Sequence, residues 1–377
     1  KNSCFSSAIR SSRTRIIPHP TSQTWLEKLE AQLNVDIDWM DPTYSKNLSI
    51  TSNDMTSNNL WVNQQMSHPV NEAMFKQVCK ELKPQGWKPA YTRIAVLMCK
   101  YNLDNIKGRV LLQVYPNEAY DTQAVLDSAR SYARGSERAG ISKDRYCIKI
   151  PSTDPALNAC RTLKKEWIRT LGTALFSVPQ AIAASQAECL YISPYFNEVK
   201  AHDDHALWPN VEDPATQHTM AARTMQILET YAKLYKKTGK EQPLLKQASF
   251  ISAKEAMAAG EHGCHSATIS PQVLDELASL QYDSSKQPGE GKLKATHPYR
   301  EYGTPDRLKH VSKVDPLSKG KSGVNTDIDY LANNGAELQK AIEADPVTTQ
   351  RLKDALELFT GGLLESKAKI EAEFQKS

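Results

Sequence analysis

The sequence predicts an α/β protein in which eight parallel strands close into a (β/α)8 barrel, with extra helices at both ends. Three observations carry this. Eight short β-prone runs recur between residues 34 and 270, and most of the intervals between them have helical spacing. Strands that alternate with helices form parallel βαβ units, and eight such units close a barrel. The chain has 377 residues, 40% of them apolar, which accommodates one barrel of ~250 residues with terminal additions.

The elements are expected in the following order. Thr24 caps a helix through Leu33, and Asn34 to Trp39 alternates as a first strand. Ser49-Ile50-Thr51 is taken as a short second strand. Met55 to Leu60 reads as a polar loop opening a helix that runs through residue 82, and Arg93 to Cys99 is also helical. Gly108 to Val114 is strand three, and Asp121 caps a helix to about Ala139. Arg145 to Ile150 is strand four, ended by Pro151. Asp154 to Trp167 is helical, Thr170 to Phe176 is strand five, and Pro179 to Ala187 is helical. Cys189 to Ser193 is strand six, and Ala215 to Lys237 is one long helix. Leu244 to Phe250 is strand seven, Ala253 to Gly260 a helix, and Ser266 to Ser270 strand eight. Residues 281–330 are polar and without clear periodicity, which fits either a lid or a disordered loop. Ser318 to Gly323 reads as a loop, and Asp327 to Lys376 is a charged helical tail. No repeat of fixed period is found.

Strand four contains one lysine, Lys149, in an otherwise apolar run. Cys147 and Lys149 share one face, and Ile148 and Ile150 share the other. Pointing into a barrel, Lys149 would lose hydration, its pKa would fall, and its neutral amine could form a Schiff base. Lying at the strand end, it would only snorkel to water.

Composition limits the alternatives. With 47 basic and 43 acidic residues the net charge is +4, and no basic stripe marks a nucleic-acid surface. No apolar run approaches the ~18 residues that span a membrane. The seven scattered cysteines include no CxxC pair, as expected of a reduced intracellular protein. Residues 1–23 are basic and serine-rich, which fits a disordered segment or an organelle targeting segment. Residues 24–377 are taken as a single domain. The cytoplasm is the expected location, with organelle import as the alternative.

Several motifs in one order carry a resemblance. Ile148-Lys149-Ile150-Pro151-Ser152-Thr153, Thr173-Ala174-Leu175-Phe176-Ser177, Tyr191-Ile192-Ser193-Pro194-Tyr195, Ala248-Ser249-Phe250 and Ala267-Thr268-Ile269-Ser270-Pro271 together resemble the transaldolase family. The resemblance runs from about Asp36 to Leu280. It implies the barrel of triosephosphate isomerase type, a Schiff-base role for Lys149, and no cofactor or metal. It also implies that Asp38 handles protons on substrate hydroxyls and that Thr173 holds a catalytic water. Asn58, Ser193 and Ser249 would contact substrate.

There are departures from the family pattern. Gln113 stands where the family has a glutamate, and Tyr195 where it has a phenylalanine. The set of Gln113, Thr173 and Tyr195 around Lys149 resembles the fructose-6-phosphate aldolases of the same superfamily. Two family arginines fall at Glu198 and Ile251, and an asparagine falls at Leu171. These changes imply a substrate without phosphate, or one held in another orientation, unless Arg93 or Arg109 compensates.

The expected partner is therefore a small carbonyl compound, not nucleic acid or membrane, and a homodimer is a further expectation. An ordinary transaldolase of the pentose phosphate pathway and a non-catalytic relative are the competing readings. His202-Asp203-Asp204-His205 and His262-Gly263-Cys264-His265 have metal-ligand residue types but no paired spacing. Lys319-Gly320-Lys321-Ser322 lacks the upstream glycine of a phosphate loop.

Overall fold

A computed structural model describes residues 23–285, 289–318 and 324–376. Its centre is a closed barrel of eight parallel strands in sequence order. The strands are β1 (Asn34–Ile37), β2 (Met55–Thr56), β3 (Val110–Gln113), β4 (Tyr146–Pro151), β5 (Thr170–Leu175), β6 (Tyr191–Pro194), β7 (Leu244–Gln247) and β8 (Ser266–Ile269). Closure is made by β1 on β8, with Asn34 opposite Ser266 and Ile37 opposite Ile269.

Alternation of side chains sorts these strands into two faces. Val110, Leu112, Ile148, Ile150 and Ile192 pack outward in the main core with the helices. The inward face is layered. Lowest are Asp36, Asp54 and Lys246, fully buried, with Lys246 Nζ 2.8 Å from an oxygen of each carboxylate. Leu111, Cys147, Leu171 and Tyr191 form a separate apolar layer. Above them lies Lys149.

The expected second strand at residues 49–51 is not formed. The strand is Met55–Thr56, which pairs Met55 with Ile37 and with Val110. It escapes sequence reading because its inward positions are polar. Asp54 meets Lys246, and Thr56 accepts from Lys149. A strand whose inward face serves two buried lysines has no apolar alternation and looks like a loop.

The helices are α1 (Trp25–Gln32), α2 (Pro42–Asn47), α3 (Asn59–Met66), α4 (Glu72–Leu82), α5 (Trp87–Lys100), α6 (Thr122–Arg138), α7 (Asp154–Lys165), α8 (Val178–Gln186), α9 (Pro214–Gln217), α10 (Ala221–Thr238), α11 (Ala253–His262), α12 (Pro271–Ser279), α13 (Ala332–Glu343) and α14 (Pro346–Phe374). Thr24 and Asp121 cap α1 and α6 through their side chains, as expected. The single helix expected up to residue 82 is broken at Pro69, where a short turn of 3-10 helix separates α3 from α4. The helix expected at residues 215–237 is likewise split into α9 and α10, at His218.

The described part of residues 281–330 is neither a lid nor disordered. Lys294 donates its backbone N–H to Ala31, and the amide of Gln32 donates to the carbonyl of Gly291, at 3.1 and 3.2 Å. Arg307 pairs with Glu261 and Asp213, and Gln226 of α10 donates to Ser312. The segment therefore straps the outside of the barrel. The covering element is α14, which packs along α3. A Cβ at Gly362 would fall 2.9 Å from the carbonyl oxygen of Asn59, so only glycine permits this approach. No described helix is long and apolar enough to cross a membrane. The six described cysteines are buried free thiols. The expectations for the N-terminal 22 residues and for the Lys319 to Ser322 motif lie outside the described residues.

Candidate active site

Lys149 is buried inside the barrel, 6% exposed. Its Nζ donates to Thr56 Oγ1 at 2.9 Å and to the carbonyl of Ser57 at 3.2 Å. Burial pushes its pKa down to about 8, and the negative charge of Asp38 resists that fall. In the neutral amine, two N–H bonds meet these two acceptors. The lone pair then takes the remaining tetrahedral position, free for an electrophile.

Asp38 follows β1. Its Oδ1 accepts from the indole Nε1–H of Trp61 at 2.6 Å. Burial raises its pKa, against the pull of Lys149 and this hydrogen bond. Tyr195 and Thr173 meet across β5 and β6, with their hydroxyls 3.1 Å apart. Burial holds the Tyr195 phenol well above its ordinary pKa, so it is a neutral O–H that can donate. Gln113 is opposite Lys149 in the β3–β4 register, but its amide donates to Asn59 Oδ1 at 2.9 Å. Asn58 caps α3 by accepting from the N–H of Trp61.

A cavity of about 890 Å³ opens above this floor. Lys149, Asp38, Asn58, Ser193, Tyr195 and Ser249 all line it, whereas Gln113 and Thr173 stand behind the wall. Six of the sequence-predicted residues thus share one cavity wall, and Gln113 and Thr173 do not line it.

The wall also contains residues that sequence reading did not single out for the site. Thr56 and Trp61 hold Lys149 and Asp38, and Leu358, Phe359 and Glu365 come from α14. The last three are distant in sequence and sit in an ordinary amphipathic helix, so no local signal marks them. His202 faces the cavity too, 2.8 Å from Ser249 Oγ. Among the described residues no group of three or more His, Cys, Asp or Glu is placed to hold a metal.

Among the described residues no arginine lines the cavity. Arg109 lies below, its guanidinium donating to Tyr191 Oη at 3.0 Å, and Arg93 is not in the wall. Neither lines the cavity. Glu198 faces Arg351 at 3.5 Å.

A parallel eight-stranded barrel with a desolvated lysine amine beneath an open cavity defines an enzyme of the class I aldolase type. The chain belongs to the transaldolase/fructose-6-phosphate aldolase family, whose model matches residues 34–361. It is 34% identical to a transaldolase of Prochlorococcus marinus over 277 residues, 72% of this chain and 69% of the relative. It is 29% identical to a transaldolase of Synechocystis sp. over 283 residues, 73% of this chain but only 60% of the relative. A transaldolase of Rhizobium rhizogenes is 27% identical over 332 residues, 85% of this chain and 89% of the relative.

Proposed function

We propose that this enzyme makes or breaks C–C bonds through a Schiff base on Lys149, with a substrate that bears no phosphate. The observation that carries the proposal is a buried amine with a pKa of about 8 at the floor of a cavity whose wall, among the described residues, contains no arginine. Lys149 Nζ adds to a ketone carbonyl, the carbinolamine loses water, and an iminium ion forms. The iminium is the electron sink, so no cofactor is required. In the cleavage direction a base takes the proton of the β-hydroxyl, and the C–C bond breaks. Its electron pair forms the enamine, and an aldehyde departs. Asp38, beside Lys149 and oriented by Trp61, is suited to that base role. Tyr195, a neutral phenol, is suited to returning a proton to the enamine carbon.

The missing phosphate site rests on charge. Asp38, Asp203 and Glu365 line the cavity, against Lys149 and His202 as the only cationic candidates among the described residues. A phosphate dianion there would meet like charges without a bidentate partner.

The test is borohydride reduction with dihydroxyacetone, followed by peptide mass spectrometry. A glycerol adduct on Lys149 is expected, and an unmodified Lys149 beside a trapped control aldolase would remove the reading. The second reading, ordinary transaldolase activity, draws on the names of the relatives. Turnover of fructose 6-phosphate with erythrose 4-phosphate in a coupled assay would favour it.

A further inference from the structure

The loop after β6 brings His202 to the cavity wall beside Ser249, Val199 and Phe250. Two hydrogen bonds fix the state of its ring. Ser249 Oγ donates its single proton to the carbonyl of Asn197 at 2.9 Å. Towards His202 Nε2, 2.8 Å away, that hydroxyl can only accept. Nε2 must therefore bear a hydrogen, and in the neutral ring Nδ1 carries the lone pair.

The serine is itself held in place. Ser249 has a φ of 66°, a left-handed conformation that is costly outside glycine. Asn197 secures it, donating from its amide to Ser249 O at 3.0 Å and to Glu255 at 2.8 Å. His218 Nε2 lies 3.1 Å from Asn197 Oδ1. A strained residue kept by a buried polar network, lining the cavity and fixing the ring beside it, indicates a functional contact.

Desolvation lowers the pKa of His202, with Asp38 and Asp203 acting against it and His205 with it. Lys149 and His202 both feel the charge of Asp38, and all three line the same cavity.

Resting on the Schiff-base reading above, we propose that His202 is the specificity residue for the end of the substrate remote from Lys149, and that its Nδ1 accepts a hydrogen bond from a free hydroxyl of an unphosphorylated hydroxyaldehyde. A hydroxyl satisfies this lone pair. A phosphate ester brings only acceptors and negative charge to Nδ1 and Asp203.

The experiment uses the full chain with dihydroxyacetone as donor and glyceraldehyde or glyceraldehyde 3-phosphate as acceptor. The wild type is expected to prefer glyceraldehyde. His202→Leu is expected to raise KM for glyceraldehyde about tenfold, the loss of one hydrogen bond, with a smaller change in kcat. His202→Asn, which keeps an acceptor oxygen, is expected to recover part of the loss. Nitrogen NMR of the labelled ring is expected to show the Nε2–H tautomer. An equal KM in His202→Leu, a preference for the phosphate ester, or an Nδ1–H tautomer would each overturn the assignment. Failure to trap dihydroxyacetone on wild-type Lys149 would instead overturn the Schiff-base reading itself.

Discussion

Replacing Lys149 with methionine is expected to make the protein more stable at pH 7 while abolishing imine formation. The amine has an ordinary pKa of 10.5 when exposed and about 8 in the fold. That difference amounts to roughly 3 kcal/mol of strain against the ammonium form. Methionine fills similar space without charge. It also leaves Thr56 and the Ser57 carbonyl without their donor, a loss of about 1–2 kcal/mol. The variant should therefore gain about 1–2 kcal/mol at pH 7.

The sign changes with pH. Because the folded value lies below the unfolded one, the penalty is complete below about pH 8 and disappears by 10.5. Between these limits the unfolded chain holds a proton that the native state lacks, so wild-type stability rises with pH. The variant lacks this rise, so its advantage should shrink and then reverse. Urea unfolding of both proteins at pH 7, 8.5 and 10 measures the difference, in which other titrating groups cancel. A constant difference across that range would refute the buried-amine argument.

The same pKa should appear in catalysis, where kcat/KM for a ketone donor is expected to climb with pH and level off near pH 8; a flat profile would show that another group limits the reaction. Tyr195→Phe should slow exchange of the donor α-proton in heavy water by roughly 10²–10⁴, the usual contribution of a general acid–base group. Borohydride trapping on Lys149 should persist in that variant, because imine formation does not route through the phenol. Lys246→Met should destabilise the fold by about 3–5 kcal/mol, since it strands Asp36 and Asp54, each 2.8 Å from the lost amine. Combining it with Asp36→Leu and Asp54→Leu should recover most of that loss in chemical denaturation. Gly362→Val should lift α14 from Asn59 and lower stability by about 1–3 kcal/mol, read as faster proteolysis of the C-terminal helix.

Much of the site was legible because its parts are local. Lys149 stands out as a charge inside Cys147-Ile148-Lys149-Ile150. Asp38, Thr173, Ser193 and Tyr195 sit at or just beyond strand ends, where a barrel gathers functional groups. Gln113 and Thr173 reach the site differently from the expectation, because their side chains are engaged with Asn59 and with Tyr195 rather than lining the open cavity.

The sequence alone determined the barrel, through the recurrence of short apolar strands between capped helices, and it determined which lysine lies in a strand. Those features follow from periodicity, which neighbouring residues carry between themselves. Only the tertiary structure decided that Met55 and Thr56 form a strand with Asp54 just before it, since the partners of Asp54 and Thr56, Lys246 and Lys149, lie about 190 and 90 residues away. Only it placed Phe359 and Glu365 over the mouth and set His202 against Ser249, because desolvation and hydrogen bonding between distant segments exist only after the chain has closed on itself.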